Sequence, residues 1–198
     1  MERYIVMRIM FGLFLLFVTI FFIVQLATSG GDDSAETETP AEIVDAPFIP
    51  SDENNDSSEI KFTVMGKINA PEDHREFRFT ITQRSRQVDL IEGYDGKVIK
   101  SLRLPNTPNS YQELLNAIES EGFTREKAEP TITDSRGYCS NGKKYFYVAT
   151  TNGLTRSDLW SASCARRAGT FGGDRIDIVR LFERQFPDFS DFRRGSTL

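Results

Sequence analysis

The chain has little of what metal sites and nucleophilic catalysis require, with two cysteines and one histidine among 198 residues. Structural zinc sites take four Cys, His or carboxylate ligands, and a catalytic thiol needs a histidine beside it. The histidine, His74, lies in a predicted turn far along the chain from Cys139 and Cys164. We therefore predict no metal, no cofactor and no catalytic cysteine.

Catalytic motifs are also missing, since the sequence contains no G-x-S-x-G, H-E-x-x-H or G-x-x-x-x-G-K-[ST] pattern. Four carboxylates could still include the acid/base pair of a cell-envelope hydrolase, namely Asp134, Asp158, Asp174 and Asp177. The sequence does not set the distances between them. A non-enzymatic role is favoured, with no catalytic residue assigned, and the hydrolase is kept as an alternative.

Positive charge is absent from residues 30–59, which hold ten acids and no Lys or Arg. The stretch is also rich in Ser, Thr and Pro, so it has too little apolar surface to offset the entropy of ordering it. We interpret residues 28–59 as an acidic, disordered tether. The rest of the chain, 61–198, has 22 bases and 18 acids, a net charge of +4 that is either ordinary for the surface of a globular domain or suited to an anionic partner.

One long apolar run is present, from Ile9 to Ala27, and none of its nineteen residues is charged. As a helix it would be about 28 Å long, close to the hydrocarbon thickness of a membrane. Arg3 and Arg8 precede the run and only acids follow it closely, so residues 1–8 are predicted to stay cytoplasmic, with 9–27 as a transmembrane anchor. Two alternatives are a signal peptide cleaved near Ser29, giving a secreted protein, and an anchor that joins a structural envelope assembly.

The predicted export places both cysteines in an oxidising compartment. Two lone cysteines in an exported domain usually pair, so we predict a Cys139–Cys164 disulfide. Closing a loop of this length removes about 3 kcal/mol of unfolded-chain entropy.

Hydrophobic periodicity predicts an α+β domain over residues 60–189, followed by a frayed tail, 190–198. Alternating segments predict a meander of about four antiparallel strands between 60 and 104 and a second hairpin between 143 and 161. A capping box at Ser110 and Glu113 predicts the start of one helix, which Gly122 ends. A second helix is predicted over 174–185, and the two helices should cover the sheet.

Aromatic and basic residues concentrate on and beside the second hairpin. This combination suits recognition of a protein partner or an anionic surface polymer, and nucleic acid is not expected. The alternative is that one aromatic row belongs to the core while the charges guard the hairpin edge. The candidate surface comprises Lys143, Lys144, Tyr145, Tyr147, Arg156, Trp160, Arg166 and Arg167.

Several segments between Gly93 and Phe189 carry a resemblance: GYDGK, PNTPNSYQELLNAIESEGF, RGYCSNGKKYFY, LWSASC, GTFGG and LFERQFPDF. This half of the chain resembles an uncharacterised family of single-pass membrane or secreted proteins from small, host-dependent bacteria of the Saccharibacteria type. The resemblance implies an envelope location and no particular chemistry.

Overall fold

The computed structural model describes residues 57–164, 168–196 and 198. Within these ranges the chain forms six strands and three helices, which confirms the α+β class. In chain order they are β1 (Ser58–Met65), β2 (Arg75–Thr82), β3 (Ser85–Glu92), β4 (Lys97–Pro105), α1 (Pro108–Ser120), β5 (Lys144–Thr151), β6 (Leu154–Ala162), α2 (Arg175–Arg184) and α3 (Phe189–Phe192).

The predicted anchor, 9–27, and all but the last three residues of the tether lie outside the described residues. Among the residues that are described, no helix is both long and apolar enough to span a bilayer.

All six strands form one antiparallel sheet in the order β4-β3-β2-β1-β5-β6. The sequence predicted a meander plus a second hairpin, whereas the structure joins them, since β5 pairs with β1 in a register that sets Phe62 beside Tyr147. Helix α1 carries the chain from the β4 edge back across the sheet. The first strand is therefore central, with β2 on one side and β5 on the other.

The two faces of the sheet differ in polarity because successive side chains of a strand point in opposite directions. One face carries the core, in which the ring of Phe62 lies 4.8 Å from that of Phe182 on α2. All three helices contribute buried apolar side chains to this face. The other face is largely polar and holds a second, smaller cluster around Trp160 at its β5–β6 end.

Helix α1 begins earlier than the predicted capping box. Thr107 is the N-cap, its side chain accepts a hydrogen bond from the Ser110 N–H at 3.2 Å, and Pro108 occupies the first turn. Proline suits that position because its missing N–H would have had no partner inside the helix. The predicted C-terminal glycine is confirmed, with Gly122 at φ +74° followed by the fully buried Phe123.

Asp174, where the second helix was predicted to begin, is the N-cap of α2, and its carboxylate accepts from the N–H groups of Ile176 and Asp177 at 2.8 and 3.1 Å. The residues after Ser190 differ from a frayed tail. They include the second half of α3, and Phe192 is only 5 % exposed against Phe77.

Candidate binding groove

The structure separates the aromatic members of the predicted surface. Tyr147 is fully buried in the main core, where it stacks on Phe171 with ring centroids 3.7 Å apart. Its hydroxyl hydrogen-bonds the Ser161 hydroxyl, and burial raises its pKa. Trp160 is buried on the opposite face, and its indole N–H donates to the Thr133 carbonyl at 2.6 Å. Both residues have packing roles, as the alternative interpretation expected of one aromatic row.

The two lysines at the start of the second hairpin also lie on different faces of the sheet. Lys144 is buried on the polar face, where its ammonium donates to the Ser135 carbonyl at 3.2 Å. Loss of solvent lowers its pKa. Lys143 instead lines a cleft on the core side of the sheet together with Tyr145. The Tyr145 ring lies 5.1 Å from the Arg175 guanidinium, and burial raises the pKa of its phenol.

Arg156 does not line that cleft. Arg156 is exposed on β6, near the tip of the second hairpin. Arg166 and Arg167 lie outside the described residues.

The cleft that contains Lys143 and Tyr145 has a volume of about 450 Å³. Its floor is apolar because core-face residues of β1 and β2 reach it, among them Val64, Phe77 and Phe79. Its rim is charged, with Arg193 and Arg194 following α3. An apolar floor with a few charged groups at the rim is the usual make-up of a ligand site.

Two further clefts adjoin the first and share residues with it. One, of about 390 Å³, shares Lys143, Tyr145 and Leu198 and extends to Lys67. The other, of about 440 Å³, lies between α2 and α3 and shares Glu183, Phe189, Ser190 and Arg193. The three clefts are therefore neighbours on the surface, and we name them together the basic groove.

The charge of the basic groove is one-sided. Among the described residues that line it, the only acidic side chain is that of Glu183, and six side chains are basic: Lys67, Lys143, Arg180, Arg184, Arg193 and Arg194. A groove lined by charges of one sign concentrates ligands of the opposite sign.

Ion pairs compensate only part of this charge. Arg193 lies 3.7 Å from Glu183, Arg180 lies 2.8 Å from Asp177 and Arg194 lies 2.6 Å from Asp191. These pairs are largely exposed and contribute little to stability, so an anionic ligand can compete for the guanidinium groups. Lys67, Lys143 and Arg184 have no ion pair with any residue that the structure describes.

The disulfide holds one end of the basic groove in place. Cys139 and Cys164 are bonded as predicted, with their Cα atoms 5.8 Å apart. The loop that leads into Lys143 passes directly over the bridge, so closely that a Cβ at Gly142 would lie 2.5 Å from the Cys139 sulfur. The Lys143 N–H donates to the Ser163 hydroxyl at 2.8 Å, next to Cys164. The bridge therefore lies directly beneath the loop that carries Lys143.

Three of the four carboxylates considered for hydrolysis bond to groups that are not part of a catalytic pair, and the fourth is exposed on a strand. Asp174 caps α2 and Asp177 pairs with Arg180. Asp134 accepts hydrogen bonds from Arg136, which lowers its pKa to about 2. Asp158 is exposed on β6. None of the four lines the basic groove.

Other acids lie on the polar face of the sheet. Asp89 is buried and accepts hydrogen bonds from the Gln87 amide and the Ser101 hydroxyl, while Arg78 donates to Glu76 at 2.5 Å. These groups satisfy one another along the strands. Across the described residues, no group of three or more His, Cys, Asp or Glu is arranged to hold a metal ion.

Sequence periodicity missed the basic groove because its bases come from separate segments that meet only in the fold. Arg180, Arg184, Arg193 and Arg194 were visible as charges near the C-terminal end of the sequence. Nothing in their spacing indicated that they adjoin Lys67 and Lys143. The sequence matches no protein-family model, and no curated protein aligns with it.

Proposed function

We propose that this protein is a membrane-tethered, extracytoplasmic binding domain, non-enzymatic, that holds an anionic surface polymer in the basic groove. The observation that supports this most directly is the charge of the groove, six basic side chains against one acidic side chain over an apolar floor. Three neighbouring clefts suit an extended ligand, whereas an enzyme for small substrates usually has a single enclosed pocket.

The polymer is the partner that the groove favours because the bases follow one another from Lys67 to Arg184 through three clefts. A chain with repeated phosphate or carboxylate groups can meet several of them at once, and each contact adds to the affinity. The acidic tether would keep the domain off an anionic envelope while the groove captures the polymer. The alternative partner is an acidic protein, and competing probes distinguish it from an anionic polymer.

Binding can be measured by fluorescence anisotropy with the full-length chain in a non-ionic detergent and labelled poly(glycerol phosphate) as probe. The variant carries Lys143→Glu and Arg184→Glu, two groove bases without ion pairs among the described residues. We expect at least a ~10-fold loss of affinity and a weaker dependence on salt, since opposite charges provide the attraction.

The matched control carries the same change of charge outside the groove, Arg125→Glu with Arg156→Glu. It should bind within about twofold of the wild type, because exposed charges at a distance are screened. Equal loss in both variants would reject the groove and favour the second hairpin, to which Arg156 belongs. Tighter binding of labelled polyglutamate than of poly(glycerol phosphate) would instead make an acidic protein the partner.

A further inference from the structure

The outer edge of β4 is uncovered among the described residues. The strand ends the sheet, and no described segment pairs with its outer side. Seven of its nine residues are exposed and the other two, Leu102 and Leu104, are half-buried. An open edge of this length presents backbone groups that can pair with another strand.

Hydrogen bonding with β3 identifies which backbone groups face outward. The Asn106 N–H donates to the Arg84 carbonyl at 3.0 Å. In an antiparallel pair every second residue bonds to the neighbouring strand, so counting back from Asn106 gives the residues of β4 that bond to β3. Leu104 and Leu102 therefore bond to β3, while the N–H groups of Arg103 and Ser101 point to the free side. Pro105 is also in an outward position, where its missing N–H leaves β3 pairing intact.

At the opposite edge of the sheet, the outer side of β6 is covered at Trp160. The Phe171 N–H donates to the Trp160 carbonyl at 3.0 Å, and the Trp160 N–H donates to the Thr170 hydroxyl at 3.2 Å. A segment of the same chain thus occupies that part of the β6 edge. No described segment does the same for β4.

The side chains of β4 select what could pair with it. Its charged residues are all basic, Lys97, Lys100 and Arg103. Lys97 pairs with Glu92 at 2.9 Å and the Lys100 ammonium donates to the Phe192 carbonyl at 2.7 Å, so the charge available to a partner strand is that of Arg103. The hairpin that bears β4 exposes Tyr94, Val98 and Ile99 by 50, 51 and 42 %. A second copy of β4 would bring bases against bases, which disfavours pairing between identical edges. The Arg103 guanidinium favours a strand that carries acids on the polar face of the sheet.

We propose that β4 accepts an extended acidic segment of a partner protein as a seventh strand. Arg103 shares the polar face with Gln87, whereas Leu102 and Leu104 lie beside the main core. A segment that alternates acidic with apolar residues therefore places its acids near Arg103 and its apolar side chains beside the two leucines. This edge is separate from the basic groove, and the inference does not depend on the polymer.

The test uses the full-length chain in non-ionic detergent and a labelled ten-residue peptide that alternates Glu with Val. Arg103→Pro removes an outward N–H and the charge, while Arg103→Ala removes the charge alone. We expect Arg103→Pro to weaken binding at least ~10-fold and Arg103→Ala by only ~2–3-fold, because backbone pairing provides most of the affinity in strand addition. Amide exchange of Ser101 and Arg103 should slow when the peptide binds.

Two controls keep the outcome clear. The unfolding temperature of Arg103→Pro should stay close to that of the wild type, and a peptide that alternates Lys with Val should bind at least ~10-fold more weakly than the Glu peptide. Equal binding of both peptides, or of wild type and a folded Arg103→Pro, would overturn the proposal. If the groove variant Lys143→Glu with Arg184→Glu loses the peptide while Arg103→Pro keeps it, the acidic segment binds in the groove instead.

Discussion

At the scale of single residues, two buried phenols tie the stability of the domain to pH. The Tyr111 hydroxyl accepts a hydrogen bond from the Ser58 hydroxyl at 3.0 Å, and burial raises its pKa to about 12. Burial also raises the pKa of Tyr147. The folded state therefore favours the neutral, protonated phenols, whereas the phenol of free tyrosine loses its proton near pH 10.

The sign of the pH effect follows from this difference. Below pH 10 both phenols are protonated in the folded and unfolded states, and their contribution to stability is fully present. As pH rises from about 10 to 12, the unfolded chain loses these protons before the folded chain does. We expect the free energy of unfolding to fall over that range.

Chemical unfolding at a series of pH values will measure this, and Tyr111→Phe should show a shallower decline than the wild type. The carboxylate of Asp134, which titrates far lower, should have no part in it. A variant whose decline is as steep as that of the wild type would show that Tyr111 does not cause the effect.

At the scale of elements, the N-cap of α1 is a different residue from the one that the sequence predicted. Ser110 and Glu113 match a capping box, but Thr107 accepts the hydrogen bond at the helix start and the Thr107 hydroxyl donates to Ser110 at 3.0 Å. Two N-cap candidates lay within one turn of each other. Pro108 decides between them because a proline suits the first helical position and drives the residue before it into extended backbone, as at Thr107 with φ −122° and ψ 153°.

Thr107→Ala should therefore lower the free energy of unfolding by about 1 kcal/mol, the usual cost of a lost N-cap. Ser110→Ala, the matched change at the predicted cap, should cost less than about 0.5 kcal/mol, since Ser110 is exposed. Urea unfolding of the two variants gives both values. The larger loss for Ser110→Ala would contradict the assignment of the cap.

The strands were the easiest elements to predict, for a physical reason. Strands β1 and β2 alternate apolar and polar residues with the period of a half-buried strand, and positive-φ residues mark hairpin turns, such as Gly96 at +74° and Asn152 at +53°. These signals are local. The contact between the meander and the second hairpin is not local. Strand β5 pairs with β1 only after α1 has carried the chain back across the sheet.

At the scale of the whole molecule, the disulfide links stability to the basic groove. Replacing both cysteines with serine should lower the free energy of unfolding by about 3 kcal/mol, by the loop-entropy estimate. Affinity for poly(glycerol phosphate) should fall as well, because the loop that holds Lys143 passes over the bridge.

Urea unfolding and anisotropy on the same sample separate these two effects. Reduction of the wild type should reproduce both losses, which controls for the serine side chains. A lower stability with unchanged affinity would show that the bridge stabilises the fold without placing Lys143.

The sequence by itself determined the strands and helices, the α+β class, the turns and the pairing of the two cysteines. Each of these depends on hydrophobic periodicity, backbone preference or redox context. Only the tertiary structure decided the groove and the open edge. Arg184 and Lys143 are 41 positions apart in the sequence, and they both line the basic groove because α2 packs across the sheet. Packing of distant segments is a property of the whole chain, and no short pattern of residues encodes it.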